Sequence, residues 1–406
     1  MRVRITPSRA EGCAVAPPSK SMAHRLLICA ALSEGESLVE GISCSEDMSA
    51  TLDCLSALGA SYTREGNAVR VRGFDPRASA PPKAPLLPRE SGSTLRFLIP
   101  VALLSGNETT FRGAPTLMRR PMGIYQELCR EKGMRFSADG CEITVRGGLP
   151  SGEYRVAGNI SSQFISGLMF ALPLTDGESI IRITPPVESR SYLELTRQAL
   201  AAFGVCVEWI DDLTLRIDGG QSYRARRVTV EGDYSNAAFL DAFNFVGGQV
   251  AVTGLSEGSL QGDRVYRRYF EALSGGTPTL EIGDCPDLGP ILFALAAAGR
   301  GATFTGTRRL RIKESDRVLA METELKKFGT ELAVGEDSVT VIPTAFHAPT
   351  EPLSGHNDHR IVMSMAVLCS ITGGEIEGAE AIAKSFPDFF EKIEKLGIKT
   401  EKTNEF

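Results

Sequence analysis

The sequence predicts an α/β (α+β) chain of two similar domains, each of three βαβαββ units with helices buried inside sheets. Three observations point there. A short strand pattern closing on a glycine or a turn recurs six times, at residues 35–41, 106–113, 177–184, 247–254, 299–306 and 373–378. Recurrence at a period of tens of residues marks a repeated supersecondary unit. Six helical runs, residues 26–32, 97–104, 164–174, 237–245, 291–298 and 361–369, are apolar nearly all round, and such helices belong inside a core. After each strand a second helix closes on Gly59, Gly133, Gly204, Gly275, Gly329 or Gly397, as helix ends commonly do.

The strands advance by about 70 residues, with one shorter step of about 50 between the fourth and the fifth. After most of the second helices comes an alternating hairpin, as at residues 68–72, 142–146, 213–217 and 338–342. No single unit can bury its own apolar helix. Three units grouped around buried helices make one domain, and six make two.

Bulk properties narrow the function. The 406 residues carry a formal net charge of -6, so the molecule as a whole repels polyanions and nucleic acid is not an expected partner. Any anion site is local. The opening Met1-Arg2-Val3-Arg4-Ile5-Thr6-Pro7 has no apolar signal core, and no run approaches the roughly 20 apolar residues that span a bilayer. A cytoplasmic protein without membrane contact is expected. Nine cysteines are scattered with no Cys-x-x-Cys pair and read as buried thiols of a reducing compartment. Four scattered histidines make no metal site.

The stretch Pro17-Pro18-Ser19-Lys20-Ser21-Met22-Ala23-His24-Arg25 marks a helix beginning near Lys20, with Ser19 or Ser21 as cap. Its free N–H groups and dipole favour an anion, and Lys20, Ser21 and Arg25 add donors on the same turn. Polar residues gather in the same way at the other helix starts. The first helices begin at Glu90-Ser-Gly92-Ser93-Thr-Leu-Arg96, Asn159-Ile-Ser161-Ser162-Gln163, Asp233-Tyr-Ser235-Asn236, Asp284-Cys-Pro-Asp287 and Asn357-Asp358-His359-Arg360. The second begin at Glu46-Asp47, Arg119-Arg120-Pro121, Glu188-Ser189-Arg190-Ser-Tyr192, Gln261-Gly-Asp263-Arg264, Lys313-Glu314-Ser315-Asp316-Arg317 and Lys384-Ser385-Phe-Pro-Asp388. A regular repeat puts equivalent helix ends on one face of each domain.

Plainer readings apply to some of these. Asp47, Asp233 and Asp358 read as caps, and Glu188, Asp316 and Asp388 as capping acids or partners of nearby arginines. His24 and His359 read as satisfied by backbone contacts, and His347 and His356 as loop residues without partners. Yet Lys20, Arg25, Arg96, Arg120, Lys313, Arg317, Arg360 and Lys384 fall at equivalent loops of an acidic protein, so the ligand carries several negative charges. Hydroxyls such as Ser161, Ser162 and Ser189 suit a phosphate, whereas planar arginines suit a bidentate carboxylate or phosphate. Asp287, Glu314 and Lys20 are groups that can move protons in a cationic, water-poor site.

These motifs carry a resemblance. Ser19-Lys20-Ser21-x-x-His24-Arg25, Gly92-Ser93-x-x-Arg96, Arg120-Pro121, Ser161-Ser162-Gln163-Phe164, Glu231-Gly232-Asp233, Lys313-Glu314-Ser315-Asp316-Arg317, Asn357-Asp358-His359-Arg360 and Lys384-Ser385-Phe386-Pro387-Asp388 resemble the 5-enolpyruvylshikimate-3-phosphate synthase family along essentially the whole chain. The resemblance implies the enolpyruvyl transferase fold, an inside-out α/β barrel of two domains that close on substrate. One domain would hold residues 1–18 plus 233–406, the other 19–232, with the opening stretch as a hinge.

It further implies transfer of the enolpyruvyl group of phosphoenolpyruvate to the 5-hydroxyl of shikimate 3-phosphate, with release of phosphate and without metal or organic cofactor. Lys20, Ser21, Arg25, Ser161, Ser162, Gln163, Ser189, Tyr192, Asp287 and Lys313 correspond to shikimate 3-phosphate contacts. Lys20, Gly92, Arg96, Arg120, Gln163, Arg317, Arg360 and Lys384 correspond to the phosphoenolpyruvate side. Asp287 is the candidate base, and Lys20 and Glu314 are both candidates for protonating carbon. Glyphosate is the expected inhibitor and a monomer the expected state. Two departures from the family pattern stand out: Pro17-Pro18 in place of Pro-Gly, and Glu90 where Asn is common. Glu90 is expected to turn away from the phosphate pocket or to pair with Arg89 or Arg120. The rival readings are a UDP-N-acetylglucosamine enolpyruvyl transferase and a non-catalytic anion-binding protein on the same scaffold.

Overall fold

The protein, as a computed structural model, is described over residues 1–403. Its six apolar runs are helices: α1 (Lys20–Ala31), α2 (Gly92–Leu103), α3 (Ser162–Ala171), α4 (Tyr234–Phe245), α5 (Gly289–Ala298) and α6 (His359–Thr372). Their lack of a polar face is met by burial on every side. In α5 every residue from Gly289 to Ala297 is buried.

The sheets repeat one pattern. Strand Arg227–Thr229 runs parallel to Glu36–Glu40, which pairs antiparallel with Ala68–Arg72, which pairs with Ser61–Glu65. The same order, one parallel pair followed by an antiparallel hairpin, recurs in the sheets containing Thr109–Gly113, Ser179–Thr184 and Ala302–Thr305, and in the sheet containing Gly374–Glu377 the antiparallel pair is Arg2–Thr6 with Lys399–Thr403 instead of a hairpin. In the remaining repeat, among the described residues, Gln249–Thr253 pairs only with Glu11–Val15. There the helix Tyr266–Gly275 leads directly into Thr279–Glu281 of the next sheet. The missing hairpin is the physical reason for the shorter sequence step.

By its own contacts the chain divides into two compact units, Met1–Ser19 with the chain from Glu231 onward, and Lys20–Val230. The apolar core divides likewise, one cluster lying in each unit. Where the chain passes between units, Pro18 bridges Gly232 antiparallel, and the backbone N–H of Ser19 donates to the carbonyl of Glu231 at 2.8 Å.

Two expectations need correcting. Cys13, Cys44, Cys141 and Cys206 are exposed and only the other five thiols are buried; Cys13, on a strand, faces outward because alternate strand residues do. The helix ending at Gly275 is not closed by a left-handed glycine, since Gly275 is its last helical residue and Gly276 takes the cap. Gly59 behaves as expected, with φ 131° and its N–H donating to the carbonyls of Leu55 and Ser56.

One glycine fixes a helix crossing. A Cβ on Gly167 of α3 would stand 2.3 Å from Tyr125 Oη and 2.5 Å from the carbonyl oxygen of Arg96 on α2. The Tyr125 hydroxyl lies 2.7 Å from that carbonyl and 3.0 Å from that of Phe164, tying α2 to α3. Gly167→Ala should therefore destabilise the protein by about 1–3 kcal/mol, the range for overpacking a filled core. Equilibrium denaturation of the variant against the parent measures it.

Candidate active site

In the Lys20–Val230 unit, α1 begins at Lys20, whose Nζ donates to Asp47 Oδ2 at 3.1 Å. Asp47 lies one residue inside the helix Glu46–Leu58, which is capped by the Ser45 hydroxyl on Met48 N. Asp47 is thus a lysine partner rather than the cap expected from sequence. His24 is also bound differently from expectation. Its Nδ1 meets Thr51 Oγ1 at 2.8 Å, and Thr51 continues to Thr94 and Ser91 at 2.7 Å per step. Burial first, then Lys20 and Arg25, push the His24 pKa well below its usual value, so the ring is neutral. This chain of hydroxyls ties α1 to the start of α2.

The start of α2 is the densest cationic point of this unit. Arg96 Nη1 donates to Gln163 Oε1 at 2.8 Å and Gln163 Nε2 to Ser93 Oγ at 2.9 Å. The Arg96 guanidinium lies over the Phe164 ring, 5.0 Å from its centroid. A Cβ on Gly92 would stand 2.9 Å from Arg120 Nη1 and 3.7 Å from both Arg96 Nη1 and Gln163 Oε1. The bare α-carbon therefore leaves a small space bordered by two guanidinium groups and an amide. Arg120 Nε is buried and has no hydrogen-bond partner among the described residues. Arg89, one of the two partners offered by sequence for Glu90, pairs with Glu46 and Asp53.

Ser161 caps α3 through Gln163 N at 3.3 Å, and Ser162 is buried beside it. Ser189 is buried in a left-handed conformation, φ 59°, ahead of the helix Arg190–Ala202. Arg25 is a structural clamp more than an open cation. Its Nε donates to Thr196 Oγ1, Nη1 to the Ser21 carbonyl and Nη2 to the Tyr192 carbonyl, at 2.8, 2.6 and 3.0 Å. Phe97 and Tyr192 flank it, and burial pulls its pKa down to about 10. Arg25 thereby holds Ser21 and Tyr192 in place.

In the other unit the starts of α5, α6 and the helix Arg317–Lys326 converge on one carboxylate. Asp287 Oδ1 accepts from Arg317 Nη1 at 2.9 Å and from Lys313 Nζ at 3.5 Å, and its Oδ2 accepts from Arg360 Nη2 at 3.0 Å. Burial would raise the Asp287 pKa, but Arg360, Lys313 and Arg317 outweigh it and hold the group well below the usual carboxylate range. Lys313 is pushed the other way. Its burial outweighs the attraction of Asp287 and lowers the ammonium to about 8.

Arg317 was expected as an open cation, yet its side chain is 1% exposed and bonded to three acids. Besides Asp287 it donates to Asp358 Oδ2 and Glu314 Oε2, each at 2.8 Å. Asp358 also caps α6 through Arg360 N at 2.9 Å and accepts from Ser315 Oγ at 3.1 Å. It is a buried hub as well as the cap read from sequence. Arg360 keeps Nε and Nη1 buried with no hydrogen-bond partner among the described residues. Two buried N–H groups at a helix start, beside a second cation, are what an anion would satisfy. Lys384 Nζ donates to the Asn357 carbonyl at 2.5 Å. His356, expected to lack a partner, bonds Glu324 at 2.7 Å.

Sequence reasoning named Ser93 in a helix-start motif without giving it a partner, and passed over Asp47 as an ion-pair partner and Glu324. Only Ser93 had a signal, two residues from the capping Ser91 at a helix start already singled out. Among the described residues no group of His, Cys, Asp and Glu is arranged to hold a metal ion, and no helix is long and apolar enough to cross a membrane.

Known proteins resemble this chain in sequence and fold. The family model for EPSP synthase (3-phosphoshikimate 1-carboxyvinyltransferase) matches residues 5–275 and 271–393. A 3-phosphoshikimate 1-carboxyvinyltransferase of Clostridium kluyveri is 38% identical over 421 residues, covering 97% of each chain. One from Clostridium perfringens is 38% identical over 98% of each. The fold is that of an EPSP synthase structure from Acinetobacter baumannii, with a TM-score of 0.79 over 98% of this chain and 99% of that one, at 22% identity.

Proposed function

The chain belongs to the EPSP synthase (3-phosphoshikimate 1-carboxyvinyltransferase) family, and from that premise we propose how its own residues carry the reaction. The enzyme transfers the enolpyruvyl group of phosphoenolpyruvate to the 5-hydroxyl of shikimate 3-phosphate and releases phosphate. The observation that carries the reading is Asp287, a carboxylate held by Arg317, Arg360 and Lys313 at helix starts.

Such a carboxylate is a weak base while three cations face it. When the anionic substrates draw off Arg360 and Lys313, its basicity rises, and Asp287 accepts the proton of the 5-hydroxyl as that oxygen attacks C2 of phosphoenolpyruvate. Lys20 gives a proton to C3, so the vinyl group becomes a methyl and C2 a tetrahedral ketal. Lys20 takes back a methyl proton, and the phosphate departs with the C–O electron pair and the proton held by Asp287, which restores the double bond and resets both groups. Glu314 accepts an N–H of Arg317, so it is placed to take a proton rather than to give one. The arginines meet the charge that develops, the term expected to be largest.

Ser21, Ser161, Ser162, Ser189, Tyr192, Arg25 and Lys313 serve shikimate 3-phosphate, and Gly92, Arg96, Arg120, Gln163, Arg360 and Lys384 serve phosphoenolpyruvate. Arg317 acts mainly by organising Asp287, Glu314 and Asp358. With no side chain at Gly92, glyphosate is expected to compete with phosphoenolpyruvate. We take the enzyme as a cytoplasmic monomer.

Phosphate release with phosphoenolpyruvate plus shikimate 3-phosphate tests the function, with UDP-N-acetylglucosamine as the competing acceptor. Release with the first acceptor alone is expected, and equal silence with both would overturn catalysis. The Lys313 ammonium adds a pH signature. Its pKa is lowered to about 8, so its charge is full below that pH and disappears as pH rises through it. kcat/KM for shikimate 3-phosphate should fall above about pH 8, and Lys313→Arg should move that descending limb to higher pH.

A further inference from the structure

Beside the cations of the unit formed by Met1–Ser19 and the chain from Glu231 onward lies a buried pair that the reaction does not use. Glu324, 1% exposed, sits on the helix Arg317–Lys326, seven residues after Arg317 and so on the same face, two turns on. Arg317 bonds Asp358, at the start of α6. Glu324 bonds the loop just before it: Oε1 meets His356 Nε2 at 2.7 Å, and Oε2 accepts from Ser354 N at 3.0 Å. Lys327 Nζ, 3.0 Å from Oε2, balances the buried charge.

That loop is held in an unusual shape. His356 and Asn357 take φ values of 48° and 52°, a left-handed conformation uncommon for residues with a side chain, though His and Asn enter it more readily than most. His356 is held at both ends, by Glu324 through its ring and by the Ser354 hydroxyl through its backbone N–H at 3.2 Å. The result is a fixed direction for the Asn357 carbonyl, which accepts from Lys384 Nζ. The next residue, Asp358, caps α6 and carries Arg360 N.

We propose that Glu324 and His356 are positioning residues, which lock the left-handed His356-Asn357 pair so that the Asn357 carbonyl aims Lys384 at phosphoenolpyruvate. The proposal rests on the assignment of Lys384 to that substrate. His356→Phe keeps a ring but loses the bond to Glu324, and should raise KM for phosphoenolpyruvate about tenfold. That is the scale on which a small displacement of a substrate-holding group acts. KM for shikimate 3-phosphate should hardly change. His356→Gln, whose amide can reach Glu324, should recover most of the loss. On a Lys384→Met background, His356→Phe should add nothing further, because both act through one group.

Glu324→Gln tests the same bond from the other side, but His356→Phe decides if that buried change prevents folding. Equal rises in both KM values, no rise at all, or independent multiplication with Lys384→Met would overturn the positioning role. If Lys384→Met itself left the KM for phosphoenolpyruvate unchanged, the Lys384 assignment would fall and the proposal with it. An unchanged KM in His356→Phe alone would sink only the positioning.

Discussion

Lys20→Met is expected to lower kcat by about 10²–10⁴-fold, the usual contribution of a positioned proton donor, while circular dichroism shows a folded protein. Methionine retains the length and the helix propensity of lysine at the start of α1. What disappears is the ammonium that donates to Asp47 at 3.1 Å. A variant keeping more than about a tenth of the parent's turnover would fall outside that range and demote Lys20 to a bystander. Asp47→Asn is a useful companion, since it leaves the ammonium but removes its ionic partner.

Asp287→Asn should reduce kcat by a similar factor, about 10²–10⁴, with an unusual accompaniment. The parent carboxylate competes with incoming anions for Arg360, Lys313 and Arg317. Asparagine does not. KM for phosphoenolpyruvate should therefore fall or hold while kcat collapses, the pattern of a group that costs ground-state binding and serves the transition state. A rise in that KM with kcat preserved would mean that Asp287 is only a counter-ion. Steady-state kinetics with each substrate varied in turn separate the two outcomes.

The elements themselves were legible in the chain because each has a local signal. Runs apolar on every side could only be interior helices, and glycine marked most of the ends. The shorter step after the fourth strand was visible in the spacing, but its cause, a repeat without its own hairpin, appears only in the two-stranded sheet of Glu11–Val15 and Gln249–Thr253. Charge pairing was the part that sequence could not supply. Arg317 and Asp358 are 41 residues apart, and Arg360 and Asp287 are 73 apart. Sequence displayed the acids and the cations at the same helix starts but not which would neutralise which. Arg317 consequently looked open where it is enclosed by carboxylates. His356 looked solitary because Glu324 faces it from another helix 32 residues earlier. Asp47 was misread for a smaller reason, because Ser45 stands ahead of it and satisfies the cap first.

The strand Arg2–Thr6 lies between Gly374–Glu377 and Lys399–Thr403, which has a consequence for biosynthesis. On the ribosome, residues from Lys20 to Val230 emerge as one contiguous stretch that forms a compact unit by its own contacts, and domains made early generally fold early. The strand Arg2–Thr6, although it precedes that stretch in the chain, finds its partners only after Gly374–Glu377 and Lys399–Thr403 have been made. A nascent chain halted near Val230 should thus resist protease across that inner stretch while its amino-terminal strand is still cut.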